Sequence, residues 1–112
     1  MNGGYIKLWR KMTEWEWYTN TNAKVVFLHL LLTASHKPFT YQGVKIPPGS
    51  VLTSYPKIAA ETGLTISQVR AGIATLKSTG ELTGKPTGTG RVKGTLYRLK
   101  NWSNYQEQRQ GL

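Results

Sequence analysis

The chain has 112 residues and a mass of 12.5 kDa, a length that one hydrophobic core fills, and it carries 15 Lys and Arg against 5 Asp and Glu, for a formal charge of +10 and a pI near 10.1. With no cysteine it excludes disulfides and thiolate metal sites. Its longest apolar run, residues 25–32, is broken by His29 and falls far short of the roughly 20 residues that span a bilayer. The charge balance points to a polyanionic partner rather than a membrane, and MNGGYIKLWRKMTEWEW lacks the apolar stretch of a signal peptide, which fits a cytoplasmic protein.

In chain order, YIKLWRKMTEWEWYT (residues 5–19) mixes aromatics and bases without a clean period and reads as a short strand or arm followed by a helical turn. Asn20, Thr21 and Asn22 offer caps for AKVVFLHLLLTASH (residues 23–36), which is apolar nearly all round and is expected to be a buried central helix. In FTYQGVKI (residues 39–46) apolar residues flank Gln42-Gly43, a hairpin signal, and SVLT (residues 50–53) reads as a strand. Ser54 can cap a helix that begins at Tyr55, takes Pro56 in its first turn and ends at Gly63. Thr65 and Gln68 have the spacing of a capping box, so the next helix should begin at Ile66 and run to about Thr79, with Gly80 closing it. The segment ELTGKPTGTGRVKGTLYRLKNW (residues 81–102) gives two strands around a glycine-rich loop. Pro86 cannot donate to a ladder, so the first of these strands should end there or lie at an edge.

This order predicts an α+β fold: a single winged helix-turn-helix domain over residues 1–106, with a three-helix core, a small β-sheet and a β-hairpin wing. Residues 107–112 read as a polar tail or the start of a linker. On the helix from Ile66, the residues Ile66, Val69, Ile73 and Leu76 share one face, expected to hold the fold with Leu64. Ser67, Gln68, Ala71, Thr75 and Ser78 share the other. A solvated helix face usually mixes Glu with Lys. This one is small, polar and free of acid, which suits a major groove, where Gln68 could pair with adenine while Arg70 and Lys77 reach guanine edges or phosphates. Between Glu81 and Glu107 there is no acid, whereas Lys85, Arg91, Lys93, Arg98 and Lys100 fall on the hairpin. In the second strand Tyr97 and Leu99 should face the core and Arg98 the solvent. The loop glycines 88, 90 and 94 lack the strand-before, helix-after context of a nucleotide fingerprint, so they read as a wing tip that follows phosphates. The expected DNA-contacting set is therefore Ser67, Gln68, Arg70, Ala71, Thr75, Lys77, Lys85, Arg91, Lys93 and Arg98.

Nothing in the chain predicts catalysis, a metal or a cofactor. His29 and His36 lie on the central helix with no sequence neighbour to complete a ligand set, and His29 reads as a packed or hydrogen-bonded core residue. Ser54-Tyr55-Pro56-Lys57 matches S-x-x-K without the companion motifs of those acyl enzymes. Glu14 and Glu16 have no third group for acid-base work. Trp15, Trp17 and Tyr18 are expected in the core, the alternative being stacking on single-stranded DNA.

The segments EWEWYTNTNAKVVFLHLLLTASHK (residues 14–37), LTSYPKIAAETGLTISQVRAGIATLKSTGELT (residues 52–83) and NWSNYQ (residues 101–106) resemble the N-terminal DNA-binding domain of phage replisome organisers and DnaD-like replication initiation proteins. The resemblance covers roughly residues 5–106 and implies a winged-helix binder of double-stranded DNA, acting in phage or prophage replication initiation inside a bacterial host. A homodimer and contacts with other replication proteins are compatible with it. Gln68 and Arg70 fall on the Q-V-R of the family's second helix, and the binding role carries over to them. Family initiators usually continue into a second domain, while this wing is richer in glycine than the family pattern. Two alternatives stay open: a phage transcriptional regulator such as a repressor, and a winged-helix module that binds a replisome or host defence protein.

Overall fold

A computed structural model describes residues 5–87 and 94–102, and it is α+β: three α-helices and two small antiparallel sheets around one core. The central helix, α1 (Thr21–Thr33), begins where the Asn20 side chain accepts a hydrogen bond from the Ala23 amide. Its buried residues Ala23, Val26, Phe27, Leu30 and Leu31 recur at three and four positions, the spacing of one helix face. Leu32 is 63% exposed, so the helix is not buried on all sides as its composition predicts. It also stops before residue 36, because the Ser35 backbone leaves the helix: its amide donates to the Ser50 carbonyl and its carbonyl accepts from Gly49.

Ahead of α1, residues 5–9 form no strand, and a 3-10 turn covers Arg10–Glu14. Trp17 is buried and Trp15 half-buried, with ring centroids 4.8 and 5.7 Å from Phe27 of α1, so these aromatics fill the core rather than present a stacking platform. After α1 the hairpin forms as expected, β1 (Phe39–Tyr41) and β2 (Val44–Ile46) joined through Gln42 and Gly43, both at positive φ.

The second sheet has the order β3-β5-β4, built from β3 (Ser50–Thr53), β4 (Leu82–Pro86) and β5 (Thr95–Leu99). Pro86 ends β4, an edge strand. Tyr97 and Leu99 are buried and Arg98 is exposed, as strand alternation requires.

Between β3 and β4 lie α2 (Tyr55–Thr62) and α3 (Ile66–Ser78), joined by residues 63–65. Ser54 caps α2 through the Lys57 amide, and Gly63 ends it in the left-handed region. Thr65 and Gln68 form the expected capping box at the start of α3. At its other end Gly80, at φ +85, donates to the Lys77 carbonyl and Glu81 to the Leu76 carbonyl, the paired bonds of a Schellman cap.

The buried face of α3 is Val69, Gly72, Ile73 and Leu76. Ile66, expected there, is 43% exposed instead. The stripe is centred on the crossing with α1, and Ile66 lies a turn beyond it. Leu64 is half-buried against the core, as expected of a fold-holding residue. Gly72 makes the crossing close: a Cβ on it would sit 2.8 Å from the Asn22 carbonyl oxygen and 3.1 Å from Val26 Cγ2. We expect Gly72→Ala to destabilise the fold by about 1–3 kcal/mol through overpacking, measured as a shift in urea midpoint, with the exposed Ala74→Ser near neutral as its control.

Candidate nucleic-acid interface

Once α3 has buried its apolar stripe, its solvent side presents Ile66, Ser67, Gln68, Arg70, Ala71, Ala74, Lys77 and Ser78. No acid occurs anywhere on the helix. The middle of this side is made of Ser67, Ala71, Ala74 and Ser78, so a partner can approach the helix backbone closely. The long cationic chains stand at one edge, Arg70 about one turn and Lys77 about three turns beyond Ile66.

Both cations rest on tyrosines. The Arg70 guanidinium carbon lies 5.6 Å from the centroid of the Tyr55 ring at the start of α2, and Lys77 Nζ lies 5.9 Å from that of Tyr97 in β5, within range of cation–π attraction. The two tyrosines are neighbours, and Tyr55 adds to the burial that raises the Tyr97 phenol. The Lys77 stem also passes over Gly84 of β4, where a Cβ would sit 3.2 Å from Lys77 Cε. Arg70, Tyr55, Tyr97 and Lys77 thus form a chain of contacts from α3 to α2 and to the β4–β5 hairpin.

Two expected contact residues have other work in the fold. Gln68 Oε1 accepts the Thr65 amide at 2.9 Å, so its carbonyl is committed to the helix cap and bidentate pairing with adenine would break that cap. Its NH2 group stays available to donate. Thr75 is half-buried, its hydroxyl accepting from Asn20 Nδ2 at 3.4 Å, which ties α3 to the start of α1.

In the hairpin, strand register pairs Thr83 with Arg98 and Lys85 with Leu96. Cross-strand partners share a face, so Lys85 and Arg98 stand exposed together on one side, while Gly84 and Tyr97 occupy the other, the side that Lys77 meets. The structure therefore gathers Ser67, Arg70, Ala71 and Lys77 on one helix surface and sets Lys85 and Arg98 apart on the outer face of the hairpin. Arg91 and Lys93 lie outside the described residues. Tyr55 and the exposed Ile66 were not legible as site residues in sequence: Tyr55 belongs to the site only through its tertiary contacts, and Ile66 looks like part of the apolar stripe.

For His29 on α1 the fold supplies a partner remote in sequence: Nε2 is 2.9 Å from Glu61 Oε1 of α2. His36 meets the Trp102 ring edge-on at 5.2 Å. Among the described residues no group of three His, Cys, Asp or Glu could hold a metal ion, and no helix is long and apolar enough to cross a membrane. No protein-family model matches the chain, and neither a curated protein nor a solved structure matches it.

Tyr97 is 2% exposed. Burial, with the neighbouring Tyr55 next in importance, pushes its phenol up to about 12 from the ordinary 10.0. The native state therefore keeps a proton that the unfolded chain loses above its own value, so this contribution to stability is whole below pH 10 and is lost as pH rises toward 12. We expect urea-unfolding stability to fall over that interval by on the order of 2 kcal/mol more in the wild type than in Tyr97→Phe, which has no proton to lose.

Proposed function

We propose that this protein is a winged helix-turn-helix DNA-binding module in which α2 and α3 form the helix-turn-helix, α3 enters the major groove of double-stranded DNA, and the β4–β5 hairpin is the wing. The observation that carries the reading is the solvent face of α3: small residues at its centre, no acid, and two cations held at its edge by tyrosines. Small residues let the helix axis come near the base edges. The absence of carboxylates removes repulsion from phosphates, and a guanidinium held near a ring loses less freedom when it meets guanine O6 and N7.

Each residue then has a role. Ser67 and Ala71 face the groove floor, Arg70 reads a base, and Lys77 holds a phosphate near the wing. Gln68 acts from the cap, donating its NH2 group to a base or phosphate acceptor without leaving Thr65. Lys85 and Arg98, on the hairpin's outer face, contact backbone beyond the groove that α3 occupies, together with Arg91 and Lys93 of the sequence between β4 and β5. Thr75 is a positioning residue, holding α3 against α1. The sequence resemblance to phage replisome organisers and DnaD-like proteins supports placing this binding in phage or prophage replication initiation.

Fluorescence anisotropy with labelled duplexes tests the proposal. Four to six phosphate contacts predict that log K falls against log salt with a slope of about −4 to −5, and a flat dependence, or no binding at low salt, would overturn it. Arg70→Ala should cost about 1–3 kcal/mol on a preferred sequence and relax specificity, whereas Lys85→Ala should weaken all sequences alike. Selection of bound duplexes from random DNA, mapped onto the source genome, places the sites in an origin if the replication role holds.

A further inference from the structure

We infer that Ile66 is a specificity-determining residue that reads a thymine methyl group, and that with Arg70 it directs the protein to DNA carrying a thymine within two base pairs of a guanine; the inference rests on the DNA-binding reading above. Ile66 is the first residue of α3 and is 43% exposed, although every other large apolar residue of the helix is buried. The exposed part of that aliphatic side chain gains nothing for the fold. Its conformation is nonetheless well fixed. The capping box on either side of it, Thr65 Oγ1 accepting from the Gln68 amide and Gln68 Oε1 from the Thr65 amide, holds the first turn, and β-branching restricts its χ1.

Its surroundings define what it can recognise. Arg70 lies one turn further along the same edge, seated on Tyr55, while Ser67, Ala71 and Ala74 keep the adjoining surface low. In a major groove the C5 methyl of thymine is the one apolar group displayed by the bases, and O6 and N7 of guanine are the acceptors that suit a guanidinium fork. The helix start is where helices of this kind place base contacts. Residues four apart on a helix are separated by about 6 Å along its axis, against about 3.4 Å between successive base pairs. The two side chains therefore address bases one or two steps apart.

The test uses a duplex selected for tight binding, in which each thymine in turn is replaced by deoxyuridine, removing only the methyl and leaving the protein intact. Competition anisotropy should find one thymine, within two base pairs of a guanine, whose replacement weakens binding about fourfold, the transfer value of one methyl group. Ile66→Ala should bind the thymine and deoxyuridine duplexes equally, and Ile66→Val should retain part of the discrimination. The residue is exposed, and an unchanged circular dichroism spectrum checks that the variants fold. Tight binding that no deoxyuridine replacement alters, or discrimination that survives in Ile66→Ala, overturns this inference alone. Failure to bind any duplex at low salt overturns the DNA-binding reading and this inference with it.

Discussion

The close crossing of α1 and α3 at Gly72 is the contact on which the rest of the arrangement depends. Because the Asn22 carbonyl and Val26 lie where a larger residue's Cβ would be, the two helix backbones approach until Val69, Ile73 and Leu76 reach the core around Phe27 and Leu30. The same approach brings Asn20 to Thr75, so the residue that caps α1 also fixes α3 along its axis. Rotation of α3 is thereby set from its buried side. A helix whose inward stripe is this narrow leaves a broad outward face, and that face is the candidate interface. The chemistry available outside follows from the packing inside.

A second set of contacts couples that face to the hairpin. Tyr97 points into the core from β5, yet its ring lies near Lys77 and the residue neighbours Tyr55, whose own ring lies near Arg70. A shift of the hairpin would consequently be felt at both cations. Recognition surfaces built on rigid elements hold their side chains more closely than loops do. Here α2, α3 and the sheet each contribute one element of the support.

Local signals made most of the fold legible. The capping box at Thr65 and Gln68, Ser54 before α2, Gln42-Gly43 in the hairpin and alternation along β5 each act over a few residues, and all are found where the sequence put them. What depends on the partner element was not legible. Ile66 carries the period of the apolar stripe, but whether it is buried depends on where α1 crosses, which no window around Ile66 contains. Gly72 looks like an isolated helix weakener until α1 is laid against it. Thr75 and Gln68 have the polarity of groove-facing residues, and the fold uses one to hold α1 and the other to hold its own helix end. Tyr55 and Tyr97, distant in sequence, become neighbours only in three dimensions. The resemblance of motifs suggests the function proposed for the face, while the geometry shows which of its side chains also have work in the fold.

Charge placement gives the last constraint. None of the three α-helices has an acidic residue in its first turn, and all are capped by neutral side chains, Asn20, Ser54 and Thr65. Carboxylates at those positions would stabilise each helix by about 0.3–1 kcal/mol against its dipole, so the sequence forgoes a gain that globular proteins commonly take. The capping box shows the same preference in one residue. Its third position accepts either Glu or Gln, and only Glu would add a charge interaction to the hydrogen bond. Gln68 closes the box while leaving the start of α3 positive. Glu61, which lies on α2, pairs with His29 of α1. A helix end kept free of negative charge at some expense of stability suits the proposed approach of a phosphate chain, and the same end carries Ile66 and Ser67, the side chains to which that proposal gives base contacts.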